Sequence, residues 1–109
     1  MILLAIDLLH VPNIKDLRKP TYLEDRLSKD KGFSIHYNLG ESSKVRKIAR
    51  VEHPKSGRYL ELYTTEIGLQ CYFSYEPLHD NIQGKDGVTY GRFSAFCLET
   101  MHFPDSCNQ

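Results

Sequence analysis

Single-residue alternation marks the strands of this chain. Over Gly32 to Leu39, Phe33, Ile35, Tyr37 and Leu39 fall on one side and Ser34, His36 and Asn38 on the other. A period of two over this length predicts a half-buried strand. Over Tyr59 to Thr65, Leu60 and Leu62 oppose Tyr59, Glu61 and Tyr63, which predicts a second. Leu69-Gln70-Cys71-Tyr72-Phe73 reads as an apolar strand interrupted by one amide. Between Val45 and His53, Val45, Ala49 and Val51 share a face among basic residues. That predicts a strand near a sheet edge, where Lys and Arg discourage edge-to-edge pairing. Residues 1–9 are apolar and strand-like. Phe93-Ser94-Ala95-Phe96-Cys97-Leu98 is mostly apolar or small and runs into one carboxylate, Glu99. This predicts a core strand that ends in an acid, with Phe103-Pro104-Asp105 after it.

One stretch follows a different period. Leu23 and Leu27 stand at i and i+4, and Thr21-Tyr22-Leu23-Glu24 matches a capping box. A short helix is predicted over Tyr22 to Lys29, its charges forming a solvated face. Turn signals fall at Pro12-Asn13, Gly40 to Lys44, Pro54 to Gly57, Gly68 and Gly84-Lys85-Asp86-Gly87, with a long loop over Pro77 to Asp86. About five or six short strands, with turns every ~8–12 residues, predict an antiparallel all-β fold in a single domain.

Composition narrows the function classes. The 109 residues carry 14 basic and 14 acidic side chains and a net charge of zero. No basic excess points to nucleic acid and no polybasic cluster to a membrane surface. The opening Met1 to Ile6 lacks a basic flank, and Asp7 interrupts it, so it reads as a strand and not as a signal peptide. Cys71, Cys97 and Cys107 are odd in number and lack metal-ligand spacing, and the five histidines are scattered. Neither a disulfide framework nor a metal site is indicated, and free thiols fit a reducing cytosol.

The candidate chemistry centres on Glu99. A strand fixes a side chain, and an apolar surround can raise a carboxyl toward neutrality, both useful for proton transfer. The plainer reading is an acid at the edge of water. Gln70 reads as a satisfied core amide, and Ser34, His36 and Asn38 as the wet face of a strand or the lining of a sugar cleft.

Phe96-Cys97-Leu98-Glu99-Thr100 followed by Phe103-Pro104-Asp105 resembles the FCLETQNWPD-type motif of galactose mutarotases, the aldose 1-epimerases. Asp16-Leu17-Arg18-Lys19-Pro20 resembles that family's FDLRKP segment, and Gly32-Phe33 the start of its GYDHN or GFDHN strand. Ser56 to Thr65 resembles SGRVLEVYTT nearly position for position, Leu69 to Phe73 resembles GVQFYTGN, and Gly84 to Gly87 resembles GKNG. The resemblance covers about residues 14–109 and matches in order. It implies a partial β-sandwich of the mutarotase type, from somewhat less than the last third of a complete enzyme. It also implies Glu99 as general base, Gln70 at the sugar site, an aldose such as galactose or glucose as partner, and no cofactor or metal. Asp105 is expected to structure the turn after Pro104.

The chain departs from the family pattern in three places. Ser34 stands where the family has a sugar-binding aspartate, with Ile35 and His36 at its His and Asn. A hydroxyl cannot supply a carboxylate, and losing a charged hydrogen bond costs about 1.5–3 kcal/mol, more than tenfold in affinity. His36, two residues on and on the same face, is the candidate to compensate. Ser74-Tyr75-Glu76 replaces the family's asparagine after the Gln70 strand. The histidine that the resemblance implies as the acid has no counterpart here. The expectation is therefore an aldose 1-epimerase sequence with weak or absent activity in the isolated chain. The alternative is a non-catalytic carbohydrate- or partner-binding β-module on the same scaffold.

Overall fold

A computed structural model describes residues 3–6, 16–30, 34–74 and 83–108. The expected break at Pro12-Asn13, the flanks of the first strand, the Gly32-Phe33 start of the third, and most of the loop from Pro77 lie outside the described residues. The elements in order are β1 Leu3–Ile6, β2 Thr21–Tyr22, α1 Leu23–Asp30, β3 Ser34–Asn38, β4 Arg46–His53, β5 Arg58–Thr64, β6 Gly68–Phe73 and β7 Phe96–Met101. Short 3-10 turns lie between β6 and β7 at Lys85–Gly87 and after β7 at Ser106–Asn108. The strands form two antiparallel sheets, ordered β2-β1-β4-β5 and β3-β6-β7. Among the described residues no helix is long and apolar enough to cross a membrane.

The inward faces of the two sheets share one apolar cluster, as a β-sandwich requires. Ile6, Ile48, Ala49 and Val51 come from the four-stranded sheet, and Tyr37, Leu69, Cys71 and Phe73 from the three-stranded one. Leu23 and Leu27 of α1 join this cluster, so the i, i+4 pair is the helix's buried face. Leu17 is fully buried, and its carbonyl accepts the Ile6 N–H at 2.8 Å. On either side of it, Asp16 and Arg18 close an ion pair over the surface. The charged Asp16-to-Pro20 connector is thus a core anchor inside a salt clasp. Ile35, Leu62, Phe96 and Leu98 pack against the cluster but stay half-buried. Burial pushes the Cys71 thiol up to about 12, the Glu99 charge adding to the effect.

Five expectations change. First, β4 is not itself an edge strand: it lies inside its sheet, flanked by β1 and the outer strand β5. Its basic residues are taken up within the chain instead: Lys47 and Arg50 meet Glu61 at 3.2 and 2.9 Å, Arg50 also meets Glu52 at 3.1 Å, and Arg46 donates to the Leu39 and Gly40 carbonyls. Second, Val45 precedes the strand and is 68% exposed, while Ile48 takes the inward place. A bulge between Lys47 and Ala49 inserts one residue, so Ile48 and Ala49 both point in and the simple period fails. Third, the capping box does not form. Thr21 pairs with Leu4 in β2, and its hydroxyl donates to the Lys19 carbonyl at 2.8 Å. The helix still gains from Glu24 and Asp25 in its first turn, where the backbone dipole favours negative charge.

The fourth change concerns Phe93, which is not in a strand. Its φ of 58° is left-handed, its N–H donates to the Ser74 carbonyl, and β7 starts only at Phe96. Fifth, Gly68 opens β6 and is not a turn residue. A Cβ at Gly68 would stand 2.3 Å from Nε2 of His36 and 2.9 Å from the Met101 carbonyl oxygen. Glycine is required there by close approach, not by φ.

Candidate functional site

The register of the three-stranded sheet brings the sequence-derived candidates together. His36 pairs with Gln70, and Gln70 with Glu99, so one row crosses all three strands. The neighbouring row is Ser34, Tyr72 and Cys97, and the next is Asn38, Gly68 and Met101. Directly paired residues of an antiparallel sheet project to the same face. Ser34, His36, Gln70 and Glu99 therefore share the outward face, opposite the core residues Tyr37, Leu69 and Cys71.

Gln70 is not a core amide. Its Nε2 donates to the Ser34 hydroxyl oxygen at 2.7 Å, across the diagonal between β6 and β3. This bond fixes the amide plane and leaves the carbonyl end to accept from a ligand hydroxyl. Glu99 lies inside β7, two residues before its end, and is exposed. It is not enclosed by apolar side chains as the sequence suggested, because β7 alternates and Glu99 takes the outward position between Leu98 and Thr100. Its carboxylate makes no hydrogen bond or ion pair among the described residues.

His36 is different. Both ring nitrogens are cut off from solvent and have no hydrogen-bond partner among the described residues. The ring sits over Gly68 and meets Phe103 edge-on, with centroids 5.5 Å apart and planes at 62°. An unpaired buried polar group costs about 1–3 kcal/mol, so this arrangement is not neutral for the fold.

The segment after β7 supplies the cover. Phe103 accepts the Ser106 N–H at its carbonyl at 2.9 Å, and Asp105 accepts that of Asn108 at 2.9 Å. Asp105 thus lies in a backbone-closed turn, as expected. Nearby, Nδ1 of His102 and Oε2 of Glu66 lie 2.6 Å apart on the surface. This pair, and the Phe103 contact with His36, went unread in the sequence. Glu66 and His102 stand 36 positions apart with no shared pattern. Only the pairing of β6 with β7 brings them together. Among the described residues, no group of three or more His, Cys, Asp or Glu could hold a metal ion.

Comparison with known proteins adds an independent line. The sequence model of the family described as aldose 1-epimerase matches residues 6–109. Galactose mutarotase of Rattus norvegicus is 44% identical over 96 residues, covering 86% of this chain and 28% of the relative. Galactose mutarotases of Bos taurus and Homo sapiens are 44% and 43% identical over the same length and shares. The chain thus spans 28% of the length of these curated relatives.

Proposed function

The chain belongs to the aldose 1-epimerase family, and on that premise we propose that it acts on the α and β anomers of an aldose such as galactose, with Glu99 as the general base. In this reading the Glu99 carboxylate takes the proton of the anomeric hydroxyl. The C1–O5 bond breaks as the ring oxygen gains a proton from an acid. Rotation about C1–C2 turns the aldehyde, and the reverse steps close the ring on its other face. No electrons change hands and no cofactor is needed. Each proton-transfer group contributes about 10²–10⁴-fold to such a reaction. Gln70, oriented by its bond to Ser34, holds a sugar hydroxyl beside the reacting centre.

The observation that carries the reading is the register. It sets Gln70 directly beside Glu99 and gives Gln70 a fixed orientation through Ser34. The resemblance gives the acid to a histidine without a counterpart at the matched positions, so the proposal includes a low rate for the chain tested alone. A carbohydrate-binding face without catalysis is the second reading. It is favoured by the absence of any proton-donating side chain bonded to Glu99 among the described residues. The three free thiols fit a reducing compartment such as the cytosol.

Polarimetry of freshly dissolved α-D-galactose tests the assignment. The chain is expected to speed equilibration above the buffer rate, and Glu99→Gln to abolish the excess. An excess rate unchanged in Glu99→Gln would remove Glu99 from the base role. No excess rate, with galactose-dependent NMR shifts at Gln70, selects the binding reading. Neither rate nor shifts at millimolar galactose would sink both.

A further inference from the structure

The geometry points to His36 as a sugar-contacting residue, whose imidazole hydrogen-bonds a hydroxyl of the aldose held at Gln70 and Glu99, with Phe103 as a cover that the sugar displaces. This rests on the reading of the outward face as an aldose site.

An imidazole carries at least one N–H donor, and when neutral also one acceptor. In His36 both nitrogens are excluded from solvent and without partners among the described residues. A side chain that only filled this space would do so better without polar atoms, since Phe or Leu brings no desolvation cost. Position comes next. His36 is in the same cross-strand row as Gln70 and Glu99. Strands lie about 4.8 Å apart, so its Cα is about 10 Å from that of Glu99. Side chains reaching inward from both ends of such a span can bracket one pyranose ring.

Rigidity follows. The ring rests against Gly68 so closely that no Cβ fits there, and Met101 backs the same spot. Among the described residues, Phe103 packs on the ring from outside the sheet. Phe103 meets the ring in an edge-to-face arrangement and belongs to a turn outside the sheet. Moving it disrupts no ladder hydrogen bond.

The experiment uses the whole chain and D-galactose. Ring-nitrogen NMR of His36 is recorded through a galactose titration, together with backbone amides near Gln70, for the wild type, His36→Phe and Phe103→Ala. The expected result is a galactose-dependent shift of a His36 ring nitrogen in the wild type. His36→Phe is expected to weaken galactose binding about tenfold, the loss of one hydrogen bond, without lowering thermal stability. Phe103→Ala is expected to tighten binding, since the cover no longer has to move. Amide shifts at Gln70 without any shift in the His36 ring would overturn the proposal and leave the aldose site standing; that readout needs no variant to fold. Equal binding by His36→Phe overturns it likewise. Weaker binding by Phe103→Ala overturns the cover. No galactose response anywhere removes the aldose reading and this proposal together.

Discussion

The two sheets share one core and turn polar faces outward, yet those faces are built differently. On the four-stranded sheet, Glu61 takes donors from Lys47 at 3.2 Å, Arg50 at 2.9 Å and the Tyr63 hydroxyl at 3.0 Å. Arg50 also bonds Glu52 and lies 4.4 Å over the Tyr59 ring. On the three-stranded sheet, one bond joins Gln70 to Ser34, while Glu99 and the His36 nitrogens find no partner among the described residues. A face whose only task is to meet water satisfies its groups internally. The three-stranded face leaves the Glu99 carboxylate to water and the His36 ring nitrogens buried and unpaired among the described residues, and local departures from satisfaction of the second kind concentrate at functional sites.

The largest expected contrast is between two glutamates. Glu99→Gln is expected to lower the excess mutarotation rate by about 10²–10⁴-fold, with no loss of thermal stability, because no bond is removed. Glu61→Gln is expected to do the reverse, leaving the rate intact and lowering the melting temperature slightly. Polarimetry and a thermal melt on both variants read the comparison directly. A rate loss in Glu61→Gln equal to that in Glu99→Gln would erase the functional difference between the faces.

A second effect is structural. Gly68→Ala forces a methyl group into the His36 ring and the Met101 carbonyl. Overpacking of this kind costs about 1–3 kcal/mol, measured by urea denaturation. The same substitution in a His36→Ala background is expected to cost less, since the nearest clash is gone and only the backbone contact remains. Equal costs in both backgrounds would mean that the ring is not held where the structure places it, and the distinctive feature of this face would go with it.

How much of this was legible in the sequence follows from the kind of signal involved. Alternation is local, so the face of β3 and the buried pair Leu23 and Leu27 could be read directly, whereas on β5 Leu62 packs on the core and Leu60 stays 47% exposed. Sheet order is not local. The basic residues of β4 suggested an edge because nothing near them in sequence shows that Glu61 would stand opposite. The bulge at Ile48 and the replacement of the capping box by β2 are likewise set by pairing with distant segments. Of the site, the resemblance supplied Glu99, Gln70 and Ser34 as candidates, and strand pairing then placed them on one face. His36 was legible as a candidate to compensate for Ser34, but its enclosure by Gly68 and Phe103, 32 and 67 positions away, was not.

The smallest effect concerns acid. Hydrogen bonds from Arg50 first, then Lys47 and Tyr63, hold the Glu61 carboxyl below its usual range. Arg18, by side-chain and backbone hydrogen bonds, lowers that of Asp16 to about 2. A carboxyl depressed in the folded state stabilises the fold at every pH above its unfolded value. That contribution is lost as pH falls through the folded value. Stability is therefore expected to hold from pH 7 to about 4.3, the free glutamate value, and then to decline as Glu61 takes its proton. The Asp16 step follows, beginning near pH 3.8 and ending near 2. Both groups are only half-buried and reach solvent, so each step is small and shrinks further in salt. Melts across this range are expected to lose the upper step in Glu61→Gln and the lower in Asp16→Asn. An acid decline unchanged by Glu61→Gln would show that the paired charges of the four-stranded sheet do not stabilise it, and the contrast between a self-satisfied face and an open one would then rest on His36 and Glu99 alone.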